Sequence, residues 1–281
     1  MKHPFLMVVL TFCVFSQYAF SQETVENPDK YTAHNKGKFY IFWGGNRESY
    51  TKSDIHFKGA DYDFTIYNIE AHDKPKGFHI DYFNPARMTI PQTNIRVGYF
   101  ISDHYNISIG LDHMKYVMYN DRRVDYSGYY PNAGSYNENP ANGQLTLDED
   151  FLLFEHTDGL NYINTEIARV DDISSLFKIR NTDKFQINLT EGIGGGFLYP
   201  KTNTTLLGKE RHDDFNVAGF GLAAKVGLNF TFFKYFFIQT ELKGGYIEMN
   251  NIRTTNDSAD SAEQNFWFLQ RILTIGGIFR I

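Results

Sequence analysis

The 281-residue chain has one cysteine, Cys13, and no excess of basic residues, with 27 Lys and Arg against 33 Asp and Glu. A chain with so little cysteine is not a disulfide scaffold, so strand pairing and side-chain packing must stabilise it. The net charge of -6 gives no indication of nucleic-acid binding. After residue 21 no stretch approaches twenty apolar residues, which argues against membrane-spanning helices.

The amino-terminal segment has the pattern of a secretory signal peptide over residues 1–21. A basic residue precedes an apolar run over residues 5–15, and the small residues Ala19 and Ser21 precede the predicted cleavage. The alternative, a membrane anchor, is less consistent because the apolar run is too short to span a bilayer. Cys13 lies inside this segment, so the exported chain is predicted to lack cysteine.

Apolar and polar residues alternate along the stretch FGLAAKVGLNFTFFKYFFIQTELKGGY, residues 220–246. Period-two alternation of this length predicts strands and not a helix. The parity is the same on both sides of a turn at residues 232–235, which predicts a hairpin with one apolar and one polar face. A short turn would bring Lys225 directly opposite Glu241, or one diagonal step away. The outward, apolar face comprises Phe220, Leu222, Val226, Leu228, Ile238 and Leu242.

The rest of the chain repeats this pattern, and eight strands are predicted in all. Long polar segments follow the odd-numbered strands and short connections follow the even-numbered ones, which is typical of an outer-membrane β-barrel with both termini in the periplasm. The predicted fold is all-β, a closed antiparallel eight-stranded transmembrane β-barrel with long extracellular loops. Residues 37–281 would form the barrel and residues 22–36 a short periplasmic segment. The six further strands are expected near residues 37–45, 95–101, 105–111, 151–170, 185–199 and 266–281.

A soluble lipocalin-like barrel also alternates, and parity alone leaves open whether the apolar face points inward or outward. The glycines on the polar face favour the membrane barrel, because they are too small to line a ligand cavity but suit a narrow polar lumen. Charged residues on that face are expected to form a network inside the lumen, where each charge needs a partner. The glycines are Gly192, Gly194, Gly196, Gly219, Gly221 and Gly227, and the charges are Arg96, Asp112, Lys225, Glu241 and Lys243.

Glu191 is an exception to the alternation, because strict parity places it among the apolar residues of its strand. A carboxylate that faces lipid is costly and raises the question of a functional site. The alternative is a β-bulge near residues 190–192 that turns Glu191 into the lumen beside Lys225 or Lys243. We predict the bulge, which makes Glu191 a member of the lumen charge network.

The stretches YIFWGGNRESYTKSDIHFKGADYDFTIYNI, VGYFISDHYNISIGLDHMKYVM and LYPKTNTTLLGKERHDDFNVAGFGL resemble a family of outer-membrane β-barrels of Bacteroidota. The resemblance runs over nearly the whole exported chain. It implies the fold and the outer-membrane location, and no activity. One departure from outer-membrane proteins in general is the last residue, Ile281, where an aromatic residue is usual, although Phe279 lies two positions earlier.

An eight-stranded barrel is just wide enough for side chains to fill its interior, so a diffusion pore is not expected. Function is then expected in the long segments over residues 46–92 and 120–150, the first with a hairpin of its own around residues 55–57 and 62–69. These segments are rich in Tyr, Asn and Asp, which suits contacts with an extracellular protein or glycan. We predict recognition or an envelope role without catalysis, in contact with outer-membrane lipid and lipopolysaccharide.

The alternative function is lipid modification, because small outer-membrane barrels include lipid A deacylases. Those enzymes carry a His-x-Ser-Asn motif on a strand and a Glu further along, and His156 and Glu166 resemble the histidine and the glutamate. His156, Asp158 and Glu166 have the same strand parity. Asp158, however, stands where the nucleophilic serine is needed, and a carboxylate does not replace that hydroxyl. The competing interpretation is that His156 and Asp158 are polar residues at a junction of loop and strand.

No cofactor and no metal site is predicted. His212, Asp213 and Asp214 cluster in one polar segment, but their spacing matches no zinc or calcium motif. The stretch DSADSA matches an acceptor pattern for O-glycosylation in Bacteroidota, with Ser258 and Ser261 as the acceptors.

Overall fold

The computed structural model describes residues 34–75, 92–131 and 143–281. The predicted signal peptide and most of the segment over residues 22–36 lie outside the described residues. Within the described part of the chain no helix is long and apolar enough to cross a membrane. The described residues form sixteen strands: β1 (Phe39–Tyr50), β2 (Ser53–Lys58), β3 (Asp63–Ile69), β4 (Ala71–His72), β5 (Thr93–Phe100), β6 (Tyr105–Met114), β7 (Val117–Met118), β8 (Arg122–Tyr129), β9 (Gln144–Leu147), β10 (Leu152–Glu155), β11 (Leu160–Asp172), β12 (Phe185–Leu198), β13 (Asn203–Leu206), β14 (Gly219–Phe232), β15 (Phe236–Arg253) and β16 (Ser261–Phe279).

Eight of these strands close a ring in the order β1, β5, β6, β11, β12, β14, β15 and β16. Each is antiparallel to its neighbours, and β16 pairs back onto β1 along the whole of β1, which closes the ring. The prediction of a closed antiparallel eight-stranded barrel is confirmed. The connection between β14 and β15 is the predicted tight turn, in which Phe233 and Lys234 have φ values of 53° and 73°.

The outward face of the ring is apolar because the strands alternate as the sequence predicts. On β14, Leu222 and Leu228 point outward and are exposed, whereas Lys225 and Asn229 point inward and are buried. Small or polar inward residues and large apolar outward residues are the pattern of a wall that faces an apolar medium. Exposed apolar side chains occur on every ring strand, for example Ile41, Val97, Ile109, Ile167, Ile193, Phe220, Leu242 and Leu273.

The long segments on one side of the ring fold into strands, which we name the cap: β2, β3, β4, β7, β8, β9, β10 and β13. β2 pairs with β16 beyond the end of β1, and β3, β8 and β9 follow in the same sheet. The other cap strands form a second sheet in the order β13, β10, β7, β4. β2 and β3 are the hairpin predicted around residues 55–57 and 62–69. β4, β7, β8, β9 and β13 correspond to no predicted strand.

The strand predicted over residues 151–170 is two strands in different sheets. β10 ends at Glu155 in the cap, and β11 begins at Leu160 in the ring. Gly159 in the intervening turn has a φ of 144°, a conformation that residues with a side chain rarely adopt. Asp158 followed by Gly159 is therefore a turn signal inside an otherwise strand-like run.

The core of the cap is continuous with the upper end of the lumen. Phe57 and Phe64 stack in the first sheet with ring centroids 5.2 Å apart, and Phe154 of the second sheet packs against Phe57 at 5.5 Å. Inward side chains of the ring strands, among them Tyr162 and Ile247, are buried in the same hydrophobic cluster. The ring is therefore covered on the cap side by a packed apolar core.

Candidate functional site in the barrel lumen

Charged side chains of five ring strands meet inside the ring below the cap core. All are buried, and they comprise three cations and three carboxylates. Because an isolated charge in such surroundings is strongly disfavoured, the balance of charges is what permits this arrangement. We name it the charge layer, and its members are Arg96 on β5, Asp112 on β6, Glu166 on β11, Lys225 on β14, and Glu241 and Lys243 on β15.

Glu166 is the centre of the charge layer. Its Oε1 lies 3.0 Å from Arg96 Nη2 and accepts a hydrogen bond from Lys243 Nζ at 2.7 Å. Its Oε2 lies 2.8 Å from Lys225 Nζ. Gly194 on β12 stands opposite Glu166, and a Cβ on Gly194 would lie 2.6 Å from Glu166 Cγ. The glycine therefore leaves the room that this carboxylate needs.

The two other carboxylates of the charge layer, Glu241 and Asp112, pair with the same three cations. Glu241 accepts a hydrogen bond from Lys225 Nζ at 2.7 Å. Asp112 accepts one from Lys243 Nζ, and its Oδ1 lies 3.8 Å from Arg96 Nη2. Each of the three cations therefore contacts two carboxylates. Amide side chains that bond the carboxylates come from Asn94, Asn164 and Gln239.

The structure brings together five of the six residues predicted for the network and adds Glu166. Lys225 and Glu241 are diagonal neighbours, since Lys225 stands opposite Lys243 and Glu241 stands opposite Gly227. Sequence parity places Glu166 on the inward face of its strand. Its partners on β14 and β15 could not be inferred, because neither strand is paired with β11 in the ring.

Glu191 is not part of the charge layer. β12, which the structure describes throughout, pairs with both neighbours without a register shift, so the predicted bulge is absent. Glu191 therefore keeps the outward parity of Ile193. It stands opposite Arg169, which is also outward and whose Nε lies 2.6 Å from Asp171 Oδ2. The carboxylate of Glu191 has a cation as its cross-strand neighbour on the outer wall.

Apolar layers lie beyond the charge layer in both directions, and buried polar side chains stand between, among them Asn188 and Asn229 towards the short turns and Gln270 and Glu48 towards the cap. On the side of the short turns, Tyr40, Phe42 and Phe237 belong to a buried aromatic cluster, in which the rings of Phe42 and Phe237 meet edge-on at 6.4 Å. On the other side lies the cap core, and at the boundary the ring of Tyr162 is 5.2 Å from Lys243 Nζ. The described residues thus bury the charges between two apolar layers.

The residues of the alternative enzymatic site do not meet. His156 is fully buried in the cap, where its Nδ1 lies 3.0 Å from Thr202 Oγ1 and its ring packs against Phe154. Burial lowers the pKa of His156 to about 3, so the ring is neutral near pH 7. Asp158 is exposed in the turn before β11, and Glu166 bonds the lumen cations. Among the described residues no hydrogen bond or ion pair joins any two of these three.

Metal-ligating side chains are dispersed in the part of the chain that the structure describes, where no group of three or more His, Cys, Asp or Glu could hold an ion. Asp213 instead forms ion pairs with Lys201 at 3.2 Å and Arg211 at 3.0 Å. Of the two serines with an acceptor pattern for glycosylation, Ser258 accepts a hydrogen bond from Arg253 through its carbonyl oxygen, and Ser261 is the first residue of β16.

No family model and no curated protein matches the chain. Solved outer-membrane proteins are similar in structure, among them OprG from Pseudomonas aeruginosa, with a TM-score of 0.38 and 10% identity over 89% of this chain and 99% of that chain. The outer membrane protein AlkL has a TM-score of 0.39 and 9% identity over 92% of this chain and 97% of that one. Neisserial surface protein A has a TM-score of 0.32 and 10% identity over 88% of this chain and 100% of that chain. The fold assignment rests on the strand pairing itself, and these similarities identify no function.

Proposed function

We propose that the chain is an outer-membrane β-barrel with both termini in the periplasm, a closed lumen, and a cap that acts in recognition at the cell surface or in envelope structure. The observation that carries this proposal is the polarity of the ring, which is apolar outside and charged inside. A wall of this kind is stable against lipid, whereas in water its apolar surface would be far larger than soluble monomers expose.

The polarity of the ring strands reverses towards the cap. In the lower part of β16, which is nearer the short turns, Gln270 is buried inside the ring and Ile275 is exposed outside it. In the upper part of the same strand, Phe266 is buried inside and Asn265 is exposed outside. The lower part therefore has the pattern of a membrane barrel and the upper part that of a protein in water. This reversal supports a membrane boundary between the two parts.

Aromatic side chains lie at both ends of the apolar wall. At the cap end, Trp267 and Tyr246 pack with ring centroids 5.3 Å apart, and at the short-turn end Phe39 packs on Tyr99 at 4.8 Å. Phe279, at the short-turn end of β16, is twelve residues from Trp267. At a rise of about 3.3 Å per residue and a tilt of about 40°, these residues are about 30 Å apart in height, which matches the hydrocarbon thickness of a bilayer.

The cap presents a polar and aromatic surface that suits recognition. Most residues of β8 are exposed, and Tyr129 at its end is 56% exposed. The guanidinium of Arg122 lies 4.3 Å from the ring centroid of Tyr119, which is also exposed. Tyrosine and arginine are enriched where proteins bind partners, because they combine contact area with hydrogen bonding. The proposed partner is an extracellular protein or glycan.

The proposed orientation can be tested with single cysteines, because Cys13 is the sole cysteine of the chain. We expect a membrane-impermeant maleimide to label Tyr129→Cys in intact cells and to label Tyr235→Cys, in the short turn, only after the cells are opened. The reverse pattern would contradict the orientation. Equal labelling of both variants in intact cells would contradict the membrane-spanning arrangement.

The recognition role can be tested by the attachment of cells to immobilised glycans and matrix proteins. We expect Tyr119→Ala with Tyr129→Ala to reduce attachment at unchanged surface levels, and Tyr235→Ala, on the opposite side of the ring, to leave it unchanged. Equal attachment of cells with and without the gene would contradict recognition and leave the envelope role.

The alternative of a lipid-modifying enzyme requires His156, Asp158 and Glu166 to share a site. Their placement in the cap core, in an exposed turn and in the charge layer does not favour it. Mass spectrometry of lipid A from cells with and without the gene tests this alternative. We expect the same acylation pattern in both, whereas a changed pattern that is restored by the gene would support the enzyme.

A further inference from the structure

Two arginines stand directly opposite each other on the outer wall. Arg47 on β1 and Arg271 on β16 are cross-strand partners. Both point outward, because their chain neighbours Asn46, Glu48 and Gln270 are buried inside the ring. Like charges in directly opposed positions repel each other and destabilise a strand pair.

Neither guanidinium has a carboxylate partner among the residues that the structure describes. Arg47 donates from Nη1 to the carbonyl oxygen of Asn46 at 2.6 Å, and within the described chain the Arg271 guanidinium takes part in no hydrogen bond or ion pair. By contrast, Arg169 on the same wall pairs with Asp171 at 2.6 Å. The opposed arginines therefore carry two positive charges that the described chain does not neutralise.

The two arginines lie in the cap-side half of the apolar wall, where Arg271 is four residues nearer the short turns than Trp267 on β16. A row of directly opposed outward residues crosses the wall from Arg169 on β11 to Arg47 on β1. Arg169 lies three residues before the short-turn end of β11, and Arg271 and Arg47 are the last two members of the row. Because barrel strands tilt, such a row climbs by about 3 Å from strand to strand, so its last member lies about 15 Å higher than its first. The next outward residue of β1, Ser49, is exposed and polar. The row is Arg169, Glu191, Val226, Leu242, Arg271 and Arg47.

A groove of about 940 Å³ extends along the wall from the two arginines. The other outward residues that line it are mostly apolar, and they lie level with the arginines or nearer the short turns. Gly45, between Trp43 and Arg47 on β1, has no side chain and so leaves the groove open there. The charges stand at one end of an apolar channel, with Trp43, Val226, Leu228, Leu242, Leu273 and Ile275 along it.

We propose that Arg47 and Arg271 bind the phosphate of a membrane lipid whose acyl chains lie in the groove. The planar guanidinium donates two parallel hydrogen bonds to a phosphate, and two such groups side by side neutralise a phosphate that carries two charges. Long arginine side chains reach from an apolar wall towards the headgroups. The lipid belongs to the leaflet on the cap side, and this assignment rests on the proposed membrane location.

The test compares lipids that differ only in phosphate. The exported chain is reconstituted in vesicles that contain diphosphoryl lipid A or the dephosphorylated lipid with the same acyl chains, extracted in mild detergent, and weighed by native mass spectrometry. The variant is Arg47→Gln with Arg271→Gln. The matched control is Lys178→Gln with Arg180→Gln, which removes the same charge from exposed positions near the short-turn end.

We expect the wild type and the control to retain diphosphoryl lipid A. The double arginine variant should retain at most about one tenth as much of it, because it lacks the charge-assisted hydrogen bonds to the phosphate. We also expect the wild type to discriminate against the dephosphorylated lipid. Equal retention by wild type and double variant, or equal retention of the two lipids, would overturn the proposal. Displacement of the lipid by millimolar inorganic phosphate would overturn it in favour of a simple anion site.

Flotation of the same vesicles separates this proposal from the proposed membrane location. If the wild-type protein floats with the vesicles but shows no preference for phosphate, the lipid site is wrong and the membrane barrel stands. If the protein does not float at all, the membrane location fails, and the lipid site that rests on it is overturned as well.

Discussion

Each ring strand has a lower part, nearer the short turns, and an upper part, nearer the cap, and the two parts differ in which side chains they bury. On β15 the lower inward residues are Glu241 and Lys243, and the upper ones are Ile247 and Met249. The outward face changes with them, from the exposed Leu242 to the polar Glu248. The backbone pairing is continuous through both parts until Met249. The same backbone pairing therefore carries opposite polarity in its two parts, as the proposed membrane boundary requires.

The two parts also differ in how the interior is stabilised. The cap core gains from the burial of aromatic and aliphatic side chains, which tolerates small changes in geometry. The charge layer depends on specific pairs, because a buried charge without its partner costs more than the pair contributes. A substitution in the charge layer should therefore cost at least as much as the truncation of a larger side chain in the cap core.

The largest effect is expected for Glu166→Ala, which leaves three cations with one carboxylate fewer. The loss of stability should be about 3–5 kcal/mol, measured as a shift of the unfolding midpoint in detergent. Glu241→Ala should cost less, because Lys225 keeps Glu166 as a partner, and Glu166→Gln should cost less than Glu166→Ala. An unchanged midpoint for Glu166→Ala would contradict the central position of this carboxylate.

A comparable but localised effect is expected for Phe154→Ala in the cap core. Truncation of a buried phenylalanine costs about 3–5 kcal/mol. Hydrogen exchange should become faster in β2, β3 and β10 and stay unchanged in the lower part of the ring. Equally faster exchange in β14 and β15 would mean that the cap and the ring unfold together.

A smaller effect is expected for arginine on the outer wall, and it should depend on height. Ile275→Arg places a charge in the apolar wall and should cost about 2–4 kcal/mol, whereas Asn265→Arg on the same face of β16 should cost about 0–1 kcal/mol. Unfolding midpoints in lipid bilayers provide the comparison. Similar costs at both positions would remove the boundary proposed between the two parts.

The effect of pH, through His156, is expected to be the smallest near pH 7 and to grow as the pH falls. Its folded pKa of about 3 lies below the ordinary value near 6.5, so between these values the unfolded chain binds one proton more than the folded one. The cap should lose about 1.4 kcal/mol for each pH unit between about 6.5 and the folded pKa of about 3. His156→Gln lacks this proton, so its stability should fall less steeply over the same range. Parallel profiles of stability against pH for the wild type and His156→Gln would contradict the buried neutral ring of His156.

Local pattern was sufficient to predict the ring strands and the turn between β14 and β15, because parity and turn position are properties of contiguous residues. The partners of Glu166 depend on which distant strands face each other across the lumen. Glu191 was predicted inside because a carboxylate that faces lipid is costly, whereas the structure keeps it on the outer wall opposite Arg169 of the adjacent strand. The cap strands β4, β7, β8, β9 and β13 were missed because they come from separate segments and all but β8 are short.

Tryptophan quenching by brominated lipids tests most directly whether the outer wall faces lipid. The chain has two tryptophans, Trp43 within the apolar wall and Trp267 at its cap end, and both point outward. In Trp267→Phe, the remaining Trp43 should be quenched most by bromine deep in the acyl chains. In Trp43→Phe, the remaining Trp267 should be quenched most by bromine near the headgroups. Absence of quenching at both positions in protein that has refolded with vesicles would contradict the membrane-facing wall.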